Sequence, residues 1–133
     1  MHFINELSFT SFNDAWETYN THYKNISLKK FLEATSQGEY KIYKIKDLIN
    51  HPPDNLDINR LLAKSVNEAY PENNRPRGQN DLKSVKYHMR SKCVSPLFMI
   101  KLKNQEILMD GVHRLVAAKL SGKRNVLVYV VTL

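Results

Sequence analysis

ILMDGVHRLVAAKL, Ile107 to Leu120, decides the fold, because it runs a β-prone segment straight into a helix-prone one across a single glycine. Ile107 to Met109 read as the end of a strand, and Asp110-Gly111 breaks it. From Val112 the apolar residues Leu115, Val116, Ala118 and Leu120 recur at helical spacing until Gly122 stops the helix. This junction places His113 and Arg114 in the first turn. There the opening N–H groups lack internal partners, and the macrodipole adds roughly half a positive charge. Gly111 leaves room for close approach to backbone donors. Arg114 brings a planar fork suited to phosphate oxygens, and His113 brings a second polar group. A purely structural role is the alternative, with Gly111 permitting a tight turn and Arg114 solvated. Asp110 either caps the helix through the N–H of Val112 or His113, or serves as a magnesium ligand or a base.

Working outward, Asn125 to Leu133, NVLVYVVTL, is rich in β-branched residues and suits a central strand covered on both faces. Upstream, Leu97 to Leu102 and Glu106 to Met109 are two strands turned by Lys103-Asn104-Gln105. The stretch PENNRPRGQN, residues 71–80, has turn chemistry, and Asp81 after it is placed to cap a helix running to about Lys92. In that helix Leu82, Val85 and Met89 are expected to face the core, with Lys83, Lys86 and Arg90 opposite. Leu56 to Tyr70 carries apolar residues at helical spacing, and Tyr40 to Ile49 reads as a first strand by the alternation of Tyr43 and Ile45 with Lys44 and Lys46. Two further helices are expected before it. One spans Asn13 to Tyr23 after Ser11, with Ala15, Trp16, Tyr19 and Tyr23 as its spaced set, and one starts after Ser27 and runs out near Gly38. The expected fold is α+β, a small mixed sheet with helices packed on it over residues 40–133, plus an N-terminal helical extension over 1–39.

Composition bounds the function. The 133 residues suit one small core, and the formal charge is +7, from 20 Lys and Arg against 13 Asp and Glu. Residues 1–74 hold eight basic against ten acidic side chains, and residues 75–133 hold twelve against three, so the C-terminal half favours an anion. No apolar run approaches the ~20 residues of a membrane span. With one cysteine, Cys93, and no signal-like N-terminus, a cytoplasmic setting is expected. The five histidines lack zinc spacing, and neither a Walker loop nor a serine-hydrolase elbow occurs.

The order of a strand, the helix LKSVKYHMRSKCVSP, the strands LFMIKL and EILMDG, then VHRLVAAKLSGKRNVLVYVV resembles the ParB and sulfiredoxin superfamily over about residues 40–131. In that superfamily a D-G-x-H-R motif binds nucleotide phosphates. The resemblance implies that Gly111, His113 and Arg114 hold phosphates, with Lys83, Ser84 and Lys86 on the preceding helix as further contacts. It also implies ATP or CTP as ligand, with Mg2+ bridging the phosphates, and Asp110, His113 and Arg114 as the groups acting on a terminal phosphoryl group. Asp54 or Asp57, beside His51, is a second choice for orienting a nucleophile, and turn or cap roles are the alternative there. Val112 stands where a sulfiredoxin keeps its reactive cysteine, so that chemistry is not expected. Cys93 is expected to be a small buried residue. Chromosome-partition relatives continue into a helix-turn-helix module, and with the chain closing at Leu133, operator reading is not expected.

Three functions follow as expectations. One is a nucleotide-binding protein that hydrolyses or transfers a terminal phosphoryl group, acting as a triphosphatase or small-molecule kinase. Another is a DNA- or RNA-binding protein or nuclease working through the basic half. The third is a non-catalytic interaction module with a protein partner.

Overall fold

The structure, a computed structural model, describes residues 12–23, 25–49, 60–62, 68, 70–90 and 96–133. The expectations for Ser11, His51, Asp54, Asp57, Lys92, Cys93 and most of the Leu56 to Tyr70 helix lie outside these residues. In chain order the elements are α1 (Phe12–His22), α2 (Leu28–Ser36), β1 (Glu39–Lys44), α3 (Ile45–Ile49), a 3-10 turn (Glu72–Asn74), α4 (Arg75–Arg90), β2 (Leu97–Lys101), β3 (Glu106–Asp110), α5 (Val112–Leu120) and β4 (Asn125–Thr132). The protein is α+β with a four-stranded mixed sheet in the order β1-β4-β2-β3.

The chain divides into two compact units. One comprises residues 1–42, 95–111 and 127–133, and the other residues 43–94 and 112–126. In the sheet unit β2 pairs antiparallel with β3 and parallel with β4, with a bulge between Phe98 and Met99. The Leu102 N–H donates to the Gln105 carbonyl, closing the β2–β3 turn where the sequence put it. β4 has neighbours on both sides and buries Val128 to Val131 consecutively, as its β-branched run requires.

The core of this unit joins Ala15 and Tyr19 of α1 and Phe31 of α2 to Phe98, Ile100, Ile107, Tyr129 and Val131 of the sheet. The helices set apart as an N-terminal extension thus contribute side chains to the sheet's own core. Tyr19 and Ala15 are one turn apart on the buried face. Trp16 Nε1 donates to the Ile26 carbonyl at 2.7 Å, tying α1 to the segment that enters α2. Ser27 caps α2 as expected, its hydroxyl accepting from the Lys30 N–H at 3.2 Å.

Three expectations are corrected. The first strand ends at Lys44, and Ile45 to Ile49 form a short helix whose buried residues are Ile45, Leu48 and Ile49. Spacing of three and four is helical, and the alternation that suggested a longer strand covered too few residues to decide. β1 is also an edge strand exposed along most of its length, with Ile42 at 74% and its lysines guarding the edge. Secondly, PENNRPRGQN is not a loop. A 3-10 turn leads into α4 at Arg75, and Pro76 sits in the first turn, where its missing N–H is not needed. Asp81 therefore lies inside a helix and caps nothing. Thirdly, the buried face of α4 carries Gly78 and Val85, whereas Leu82 and Met89 are 36% and 42% exposed. The helix starts seven residues before Leu82, and its buried face runs through Gly78 and Val85, seven residues apart, with Leu82 and Met89 at the margin.

Candidate functional site

The helical unit packs α4 and α3 against α5. In α5, Leu115, Val116 and Ala117 are buried and Leu120 is exposed, so the expected apolar set holds for its first half only. The helix ends in a Schellman turn. Gly122, at φ +80°, donates its N–H to the Lys119 carbonyl, and the Lys123 N–H reaches the Ala118 carbonyl.

Packing α4 on α5 brings Asp81 to His113. His113 Nε2 lies 2.9 Å from Asp81 Oδ1, and the Tyr70 hydroxyl donates to Asp81 Oδ2 at 2.8 Å. Both carboxylate oxygens are thereby engaged, by partners distant in sequence. Arg77, one turn before Asp81, places its Nε 3.8 Å from Oδ2. Tyr70 is buried, and the Arg60 guanidinium sits 5.9 Å from its ring centroid, so the phenol that fixes Asp81 is itself held. The side chains of Asp81 and His113 are 17% and 38% exposed. That is enough shielding to make the pairing stronger than a surface contact and enough access for a ligand to reach the ring.

The effect on His113 is orientation. With Nε2 committed to Asp81, Nδ1 has no hydrogen bond among the described residues and is the ring atom available to a ligand. Arg75 adds a related feature. Its Nε is buried with no hydrogen-bond partner among the described residues. Arg75 opens α4, six residues before Asp81. A buried guanidinium nitrogen without an acceptor is a donor awaiting one.

The residues expected from sequence fall as follows. His113 and Arg114 are half-buried in the first turn of α5, within the helical unit. Asp110 and Gly111 belong to the sheet unit, and the chain passes from one unit to the other between Gly111 and Val112. Asp110 is buried at 8%, at the end of β3. Gly111 takes φ +110°, and a Cβ there would lie 2.7 Å from Leu97 Cγ, so the glycine is demanded by backbone and packing together. On α4, Ser84 is half-buried and Lys83 and Lys86 are exposed. No group of three His, Cys, Asp or Glu able to hold a metal occurs among the described residues.

Asp81 and Tyr70 were not marked by the sequence as sharing an arrangement with His113. A signal existed: from Arg75 onward, Gly78, Asp81, Val85 and His88 follow helical spacing. Pro76 and the asparagines before it masked that period. The two compact units divide the charge about as the sequence halves do. The helical unit carries 14 Lys and Arg against six Asp and Glu, a net of +8, while the sheet unit is close to neutral. Among the described residues no helix is long and apolar enough to cross a membrane. No protein-family model, curated protein or solved structure matches the chain.

Proposed function

We propose that the protein binds the phosphates of a nucleotide, ATP or CTP, at the start of α5, in the manner of the ParB and sulfiredoxin superfamily that its DGVHR motif resembles. The observation that carries this reading is the 2.9 Å contact between His113 Nε2 and Asp81 Oδ1. It fixes the ring in the first turn of a nine-residue helix and leaves Nδ1 for a ligand oxygen. An imidazole protonated on both nitrogens donates Nε2–H to Asp81 and Nδ1–H to a phosphate. Arg114 supplies a bidentate fork, and the opening N–H groups of α5 supply partial positive charge.

The chemistry this favours is electrostatic. Phosphoryl transfer asks a protein mainly to position the terminal phosphate and to neutralise charge spread over its oxygens, and His113 and Arg114 are suited to both tasks. Magnesium, when bound, would arrive with the phosphates, since it is commonly held by substrate oxygens and one or two carboxylates. No protein cage for it occurs among the described residues.

Calorimetric titration with ATP and CTP, with and without magnesium, tests the reading beside Arg114→Ala and His113→Ala. The wild type is expected to bind one nucleotide at micromolar Kd. Each variant is expected to lose roughly tenfold to hundredfold, the worth of one charge-assisted hydrogen bond. No heat with either nucleotide, or equal affinity in folded variants, contradicts it.

A further inference from the structure

At the opposite end of α5 lies a cleft of about 500 Å³ lined by Lys44, Lys46, Lys119, Lys123 and Arg124, with Ile45, Gly122 and Asn125 completing the wall. We propose that this cleft binds the phosphodiester backbone of a nucleic acid, independently of base sequence. Five cations share one cleft, and none of its lining residues is acidic. Two separate stretches of chain supply them. Lys44 and Lys46 flank Ile45, and the others come from the last turn of α5 and the residues just after it.

The fold holds the two stretches together. The Ile45 N–H donates to the Arg124 carbonyl at 2.9 Å, and the Ile45 side chain is buried, so the backbones bearing Lys44, Lys46, Lys123 and Arg124 are pinned side by side. Cations near a helix C-terminus also stabilise its dipole, which accounts for Lys119 and Lys123 alone. It does not account for Lys44 and Lys46, which come from β1 and α3 while the Schellman turn already satisfies carbonyls of α5. The cleft belongs to the helical unit, whose net charge is +8.

The character of the lining selects the ligand. Four of the five cations are lysines, all five are exposed, and no aromatic ring lines the cleft. Lysines act as flexible point charges that suit a run of phosphates, whereas a small ligand is ordinarily enclosed and fixed by converging polar groups. Contacts to phosphate position a polynucleotide without reading its bases. Lys119, where α5 meets the cleft, is six residues from His113, roughly 9 Å along the helix. It shares no residue with the proposed nucleotide site.

Fluorescence anisotropy with a labelled oligothymidylate tests the proposal on the full chain. The wild type is compared with Lys44→Glu/Lys123→Glu and with Lys29→Glu/Lys30→Glu on α2, which changes the net charge equally at exposed positions elsewhere. Between about 50 and 200 mM salt, wild-type affinity is expected to fall steeply, and the cleft pair to lose roughly tenfold or more with a log–log slope shallower by about one to two. The α2 pair is expected to keep the wild-type affinity and slope. Circular dichroism checks the fold, and the neutral Lys44→Gln/Lys123→Gln pair is expected to show a smaller loss in the same direction. Absence of wild-type binding, equal losses in the two charge-reversed pairs, or tighter binding of inorganic tripolyphosphate than of the oligothymidylate overturns the proposal. Failure here leaves the nucleotide titration of His113 and Arg114 variants unaffected, so the two readings are separable.

Discussion

Gly38 and Gly111 sit against side chains that leave no room for a methyl group. A Cβ on Gly38 would lie 2.5 Å from Tyr129 Cζ, and one on Gly111 would meet Leu97 in a backbone conformation that only glycine adopts readily. Gly38→Ala is expected to cost about 1–3 kcal/mol by overpacking, and Gly111→Ala about 2–4 kcal/mol because strain is added, both read as urea midpoints. Tyr129 is also held by its hydroxyl, which donates to the Thr35 carbonyl. Burial pushes the Tyr19 and Tyr129 hydroxyls above the ordinary value of 10.0, although a backbone bond from Gly38 works the other way at Tyr129. Their folded pKa values being raised, the neutral phenols stabilise the native state fully below pH 10, and that contribution is lost as pH rises through the folded values. Melting temperature is therefore expected to fall more steeply above pH 10 in the wild type than in Tyr19→Phe/Tyr129→Phe. Parallel curves contradict this. At Asp81, Asp81→Asn removes the charge facing His113 and is expected to weaken nucleotide binding roughly tenfold, while the Tyr70 bond can persist to the amide oxygen. A calorimetric titration of the variant checks it.

Among the elements, α5 was legible because its signals agree: Gly111 before it, apolar residues within it and Gly122 after it mark its limits. Gly122→Ala is expected to cost about 1–2 kcal/mol, because φ +80° is costly for alanine while the space around the position is open. A fall in Tm of roughly 4 °C per kcal/mol measures it. The strands β2, β3 and β4 were legible for a similar reason, since two short apolar runs joined by a polar turn and the β-branched residues of β4 leave one reading. α4 was not, because Pro76 and the asparagines resemble turn chemistry, and only the packing of Gly78 and Asp81 shows that the helix has already begun. β1 and α3 were confused because Tyr43, Ile45, Leu48 and Ile49 satisfy a short strand and a short helix about equally. The candidate site was half legible. The motif pointed to His113, but Asp81 sits 32 residues away and Tyr70 a further 11, and no local pattern encodes such a meeting.

At the scale of the molecule, charge and core are divided between the two units. The sheet unit, near neutral, holds the aromatic core of Tyr19, Phe31, Phe98 and Tyr129. The helical unit carries the basic excess and both proposed anion sites, one at each end of α5. Its basic residues run from Lys44 to Lys92 and from Arg114 to Arg124, two stretches of sequence that the fold gathers into one unit. The most direct measurement of the central claim is a map of backbone amide shifts as ATP or CTP is added with magnesium to the isotopically labelled protein. Amides of Val112, His113, Arg114 and Asp81 are expected to move first and saturate at one equivalent of one nucleotide, before those of Lys119 to Asn125. Shifts confined to Lys119 to Asn125, or none at all, would contradict it.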